Sequence, residues 1–249
     1  GATKVETFTV ASVDGTTHDI DVTITGTNDS AVIGGDDVGA VTEDASAPNL
    51  TDSGSLTITD ADTDPSDEAF FNPASVTPAA GVLGSLTIDA NGNWTYTADN
   101  SLTQIQALTA GQQLTDTFTV SSLDGTATQD ITVTITGVDD EATIGGDAVG
   151  AVTEDDAATL TDGGALTVND ADAGQAQFDT SVTGAASNVG ALTIDANGNW
   201  TYTADNSLTQ IQTLAAGQQL TDTFTVSSLD GPATQDITVT ITGVDDEAT

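Results

Sequence analysis

Gly84-Ser-Leu-Thr-Ile-Asp-Ala-Asn-Gly-Asn-Trp-Thr-Tyr96 alternates apolar and polar residues on both sides of an Asn-Gly pair. A period of two is the mark of a half-buried strand. Asn91-Gly92 supplies two residues that tolerate positive φ, so the stretch predicts two strands joined by a primed two-residue turn. Leu86, Ile88, Trp94 and Tyr96 then share one face. Trp94 and Tyr96 alternate with Asn93, Thr95 and Thr97, which places both rings inward, in a core rather than on a sugar-stacking surface.

The same words return later in the chain. Residues 84–143 and 190–249 align without a gap at an offset of 106, with four differences in sixty positions: Ser85/Ala191, Ala107/Thr213, Thr109/Ala215 and Thr126/Pro232. Upstream, Leu50-Thr51-Asp52 recurs as Leu160-Thr161-Asp162, and Thr42-Glu43-Asp44 as Thr153-Glu154-Asp155. Thr7-Phe8-Thr9-Val10 matches Thr117 to Val120, and Ile20 to Gly26 matches Ile131 to Gly137 with Asp21 in place of Thr132, so the first residues form a partial third copy. The expected organisation is therefore 1–27 as the closing hairpin of a preceding repeat, 28–138 as one full repeat and 139–249 as a second. Each full unit has the size of a sandwich domain.

In the first full repeat, strands are expected near 38–42, 54–60, 84–89, 93–98, 114–121 and 129–136. Leu102, Ile105 and Leu108 fall at helical spacing before Gly111, which predicts one short helix per domain. The fold class is all-β, with tandem antiparallel β-sandwich domains of Greek-key connectivity. Phe70 and Phe71, in a stretch that differs between repeats, are read as packing on that core. An isolated hairpin is marginal in water. Residues 1–27 should thus complete a sandwich with another chain, through head-to-tail homotypic assembly, unless the domain cut is permuted relative to this repeat register.

The 249 residues carry 39 acids against the single cation Lys4, a formal charge of −38. That excludes a basic nucleic-acid surface or a patch for anionic lipid. No apolar run approaches the ~20 residues of a membrane helix, so no membrane insertion is expected. There is no cysteine, hence no disulfide framework and no thiolate. The chain does not begin with Met, as expected of a processed or excised piece.

Of the acids, 33 are Asp and 6 are Glu. Asp suits turns and oxygen-ligand metal sites. In a seven-strand sandwich the linkers Asn28-Asp29 and Asp139-Asp140 lie at the entry end. The loops Asp60-Ala61-Asp62 and Asp170-Ala171-Asp172 return to that end, as do the turns carrying Asp124 and Asp230. Glu43-Asp44 and Glu154-Asp155 lie at the exit end. Acids of one unit, the linker and the next unit should therefore converge at each junction; at the middle one these are Glu43, Asp44, Asp139, Asp140, Asp170 and Asp172. Two charges ~4 Å apart repel by about 1 kcal/mol even in bulk water. Such a crevice calls for a counter-ion, and Ca²⁺, with 6–8 oxygen ligands in a flexible shell, suits it better than octahedral Mg²⁺. No His or Cys cluster offers a zinc or copper site, and His18 reads as a solvent-facing strand residue. Asp64 and Asp67 sit in a loop that differs between repeats and are weaker candidates.

The order Leu-Thr-Ile-Thr-Asp60-Ala-Asp62, then Gly84 to Tyr96, then Ala110-Gly-Gln-Gln-Leu-Thr-Asp-Thr-Phe-Thr-Val120, the Asp124-Gly125 turn and the closing Ile135-Thr-Gly-Val-Asp-Asp140 resembles the VCBS repeats of large RTX-type bacterial adhesins. It is also similar in logic to cadherins, where an acid pair, an Asn-Asp linker and a D-A-D loop bind calcium between domains. The resemblance implies cadherin- or Ig-like sandwiches, export to the bacterial cell surface or medium, and a calcium-stiffened stalk whose partners are neighbouring repeats of the same protein. No nucleophile–histidine pair or phosphate loop is present, so no enzyme is expected. The alternatives are a glycan- or protein-binding adhesive module and a self-assembling filament subunit using strand complementation.

Overall fold

The computed structural model describes residues 2–61 and 69–245. The chain divides into two compact units, Gly1–Leu102 with Gln113–Thr136, and Thr103–Gln112 with Gly137–Thr249. It opens with a hairpin, β1 (Thr3–Ala11) and β2 (Thr17–Thr25), which forms a two-stranded sheet of its own. His18 is exposed on β2, as the sequence predicts.

The first repeat then contributes β3 (Val32–Gly35), β4 (Val38–Thr42), β5 (Asn49–Thr59), β6 (Thr77–Pro78), β7 (Ser85–Ile88), β8 (Asn93–Asp99), β9 (Gln113–Ser121) and β10 (Thr128–Thr136). These make two four-stranded sheets, ordered β3-β5-β8-β7 and β4-β10-β9-β6. The short β3 and β6 were not legible as strands in the sequence. β3 and β4 split one stretch between the two sheets. β3 runs antiparallel to β5, whereas β4 runs parallel to β10, with Val38 to Thr42 against Thr132 to Thr136. The second repeat follows the same plan with β11 (Thr143–Gly146), β12 (Val149–Thr153), β13 (Thr159–Asn169), β14 (Thr183–Gly184), β15 (Ala191–Ile194), β16 (Asn199–Asp205), β17 (Gln219–Ser227) and β18 (Thr234–Thr242). Its sheets are β11-β13-β16-β15 and β12-β18-β17-β14. One helical turn accompanies each repeat, α1 (Thr103–Gln106) and α2 (Thr209–Gln212).

The inward residues are the ones that the alternation selects. Leu86, Ile88, Trp94, Tyr96, Phe118, Val120, Ile131, Val133 and Ile135 are all buried. Phe71 is wholly buried, and its backbone bridges Ser122; Phe70 remains partly exposed. Trp94 lies over Gly54 and donates its indole N–H to the Asp36 carbonyl at 2.7 Å; Trp200 does the same to Asp147. Both tryptophan rings are thus buried in the core.

One inward position of β9 is acidic. Asp116 is 1% exposed and accepts the N–H groups of Leu83 and Gly84 and the hydroxyl of Tyr96 at 2.7–3.0 Å. Asp222 repeats the pattern with Val189, Gly190 and Tyr202. Burial, then the Asp116 hydrogen bond and charge, drive the Tyr96 phenol far above its ordinary pKa, so it stays a donor. Tyr96 also meets Phe118 edge-on at 6.0 Å.

The turn between β7 and β8 differs from the two-residue primed form. Asp89 to Gly92 connect the strands, and among them only Gly92 has positive φ, at 90°. The Asp89 carboxylate accepts the N–H groups of Asn91 and Asn93 and the Asn93 amide. That side chain stabilises the longer loop, so Asn91 needs no left-handed backbone. A Cβ on Gly92 would run into the Leu56 carbonyl oxygen and would meet Phe71 at 2.8 Å. Gly92→Ala should therefore cost about 2–4 kcal/mol through strain and overpacking. Thermal melting should show the first repeat destabilised and the second unchanged.

The loop aspartates also set an acid limit. Asn93 and Asn199, through their side chains first, hold the Asp89 and Asp195 carboxyls below the ordinary carboxylate range. A lowered folded-state pKa contributes stability above the unfolded value, lost as pH falls through the folded one. Stability followed by denaturant titration should decline below about pH 4, and Asp89→Asn should shrink that decline.

Candidate metal centre

In the second unit the linker after β10 and the loop after β13 approach one another. Asp172 is 2% exposed and accepts the N–H of Asp140 at 2.8 Å through Oδ2. Its own N–H is accepted by Asp170 at 2.8 Å. Gln175 reaches back to Asp139 at 3.1 Å. The chain is thereby folded so that Asp139, Asp140, Asp170 and Asp172 share one place. Asp230, from the turn joining β17 and β18, is close enough to act on Asp172 electrostatically. Beside them runs a cleft of about 430 Å³, lined by Gln106, Asp140, Glu141, Asn169 and Asp170 among others.

The electrostatics of this cluster are unfavourable as they stand. Asp172 Oδ1, Asp170 Oδ2 and Asp230 Oδ2 are buried oxygens with no hydrogen-bond partner. Burial pushes the Asp172 carboxyl above the ordinary carboxylate range; the Asp140 N–H opposes this, and the charges of Asp170, Asp139 and Asp230 add to it. A buried charge without a partner costs several kcal/mol. The donors are all hard oxygens, the set that Ca²⁺ takes. Among the described residues no group of three or more Asp, Glu or His side chains has the geometry of a formed metal site. Mutual repulsion works against such closure.

The other sequence-derived candidates fall into three groups. Asn28 and Asp29 lie exposed in the linker before β3, where Asn28 donates to Asp124 at 3.0 Å. Asp124 also accepts from the Ser122 hydroxyl and the Thr126 N–H, which hold its carboxyl well below the ordinary range. Asp60 is half-buried after β5. Asp62, Asp64 and Asp67 lie outside the described residues.

Glu43 and Glu154, just past β4 and β12, are each 1% exposed. Glu154 accepts the Val244 N–H through Oε2, and its Oε1 is a buried atom with no hydrogen-bond partner. Asp44 and Asp155 take left-handed backbone, φ 57° and 64°. Their carboxylates accept the amides of Asn100 and Asn206, and Asp155 also accepts from Gln212. These two aspartates are engaged as turn residues.

Asp230 and its counterpart Asp124 stand outside the ligand set that the sequence suggests. Their signal was the Asp-Gly turn repeated in both units. Asp116 and Asp222 went unremarked, although parity with Phe118 and Val120 marks them as inward.

The paired sheets, the split first strand and the acid loops define a cadherin-like sandwich. The chain belongs to the bacterial cadherin-like domain family, whose model matches residues 28–137 and again 139–243. Comparison with curated protein sequences gives no match. Among solved structures the chain is similar to protocadherin gammaB7 EC3–6, described as a cis-dimer, at 20% identity and a TM-score of 0.51, covering 88% of this chain and 48% of that one. Protocadherin gamma B2 extracellular cadherin domains 1–5 give a TM-score of 0.53 at 9% identity, over 100% and 47%. The protocadherin gammaB4 extracellular domain gives 0.51 at 12%, over 99% and 43%. At these identities the likeness is one of fold, and the chain spans about half the length of these structures. No helix among the described residues is long and apolar enough to cross a membrane.

If the unpartnered buried oxygen of Asp172 is what destabilises the metal-free cluster, neutralising it should help. In excess chelator, Asp172→Asn should raise the melting temperature of the second repeat. Asp179→Asn should not, because Asp179 already accepts the Ser181 N–H at 2.9 Å.

Proposed function

We propose that this chain is a stalk segment of a bacterial extracellular adhesin or surface filament, built from VCBS-type repeats and stiffened by calcium. The carrying observation is Asp172, an acid 2% exposed whose Oδ1 has no hydrogen-bond partner, set among Asp139, Asp140, Asp170 and Asp230. Cadherin-like domains are extracellular and typically non-enzymatic adhesion modules, and this supports the same reading.

Asp139, Asp140, Asp170, Asp172 and Asp230 would hold the ion, which supplies charge neutralisation and a rigid oxygen cage. Glu43 and Glu154, each buried just past β4 and β12, are proposed as further ligands at the exit end of their own repeats. Asn28, Asp29, Asp60 and Asp62 would form the counterpart at the entry of the first repeat, together with Asp124. In this role the protein's own residues do two things: they bring the linker and the loop after β13 together, and they exclude water from Asp172. Neighbouring repeats of the same protein are the natural partners.

Calorimetry should show calcium binding with Kd of about 10⁻⁴–10⁻³ M, the range of extracellular modules. Chelator should lower the melting temperature and broaden the distribution of interdomain distances in small-angle scattering. Asp170→Ala with Asp172→Ala should remove one binding event, and Mg²⁺ should not replace Ca²⁺. Absence of both the heat and the melting shift would rule the reading out.

A further inference from the structure

The hairpin β1–β2 is built like the buried hairpin of each sandwich. Nine-residue β1 pairs with nine-residue β2 as β9 pairs with β10: Phe8 opposes Ile20 as Phe118 opposes Ile131, and Glu6 opposes Val22 as Asp116 opposes Val133. Exposure differs completely. Phe118, Val133 and Ile135 are at most 2% exposed, whereas Phe8 is 56%, Val22 45% and Ile24 55% exposed.

We propose that residues 2–26 close a further sandwich, and that their apolar face is covered by the first four-fifths of another repeat lying upstream in the same polypeptide. The proposal deepens the stalk reading by naming the partner, and it does not depend on calcium.

Two arguments select this occupant. The first is area. One face of a nine-residue, two-stranded ribbon measures about 30 Å by 10 Å, roughly 300 Å². A stable interface buries about 800 Å² per partner, so two hairpins from two copies stacked face to face fall short. Among the described residues of a second copy, the inner faces of the four-stranded sheets, with Trp94, Phe118 and Ile131, are already buried and cannot receive the hairpin. An upstream repeat would add strand pairing at both edges of the hairpin, as β4 pairs with β10 and β6 with β9.

The second is polar complementarity. Glu6 stands at the position of Asp116 and Asp222, and in the hairpin it holds the chain's single Lys, Lys4, at 2.6 Å. In a complete unit that position receives two backbone N–H groups and a tyrosine hydroxyl from the opposite sheet. A covering sheet with this Gly and Tyr would satisfy Glu6 as Leu83, Gly84 and Tyr96 satisfy Asp116.

The test extends the full chain. A copy of residues 28–110 placed before Gly1 restores the repeat register, since Gly1 then stands where Gly111 does. In chelator, hydrogen exchange at Phe8, Val10, Ile20, Val22 and Ile24 should slow by at least about 100-fold, and a third unfolding unit should appear. Val22→Asp should abolish both effects in the extended chain and leave the melting of the unextended chain unchanged. A second extension with residues 139–216 guards against one copy failing to fold. If neither extension protects residues 2–26, the proposal is overturned. It is equally overturned if sedimentation of the unextended chain shows a dimer with that hairpin protected.

Discussion

Each sandwich depends on a carboxylate in its core. Asp116, on one sheet, accepts two backbone N–H groups at the start of β7 and a hydroxyl from β8 on the other. A buried carboxylate is tolerated only when hydrogen bonds replace its water, so this residue specifies how the two sheets face each other. Leucine at the same position would bury as much surface but would leave the N–H groups of Leu83 and Gly84 without acceptors. The near-identical arrangement at Asp222 shows that the repeat has kept the polar pin along with its apolar surroundings.

The acids sort into three chemical states. Asp89, Asp99, Asp195 and Asp205 are solvent-facing and bound to nearby N–H, amide or hydroxyl groups, which lower their pKa. Asp116 and Asp222 are buried and fully used. Asp170, Asp172 and Asp230 have buried oxygens that no donor meets. Only the last state leaves charge that the protein's own donors do not meet. Most of the −38 is a matter of solubility; at Asp170, Asp172 and Asp230 it is an unbalanced charge with a definite location.

Period-two alternation was enough to reveal the long strands and the inward tryptophans, because the core face of a sheet admits little else. β3 and β6 were hidden: Val32–Gly35 ends in glycines, and Thr77–Pro78 is too short to show a period. The Asn91-Gly92 pair pointed to a turn, but its length was decided by the Asp89 carboxylate. The D-A-D loop announced itself as a spacing. Whether an individual aspartate is engaged locally depends on which donors face it, as Asp44 and Asp155 show by accepting the side-chain amides of Asn100 and Asn206. Sequence spacing carries no record of that choice.

The parallel pairing of β4 with β10 has a mechanical meaning. β4 is close to where the chain enters the unit and β10 is where it leaves. Tension applied along the polypeptide therefore pulls these two strands past each other lengthwise. Their five-residue ladder is loaded in shear, so its hydrogen bonds share the force and must break together. A hairpin pulled open from its end would lose them one after another. The split of the first strand between two sheets thus turns an ordinary sandwich into a unit that bears tension along its chain.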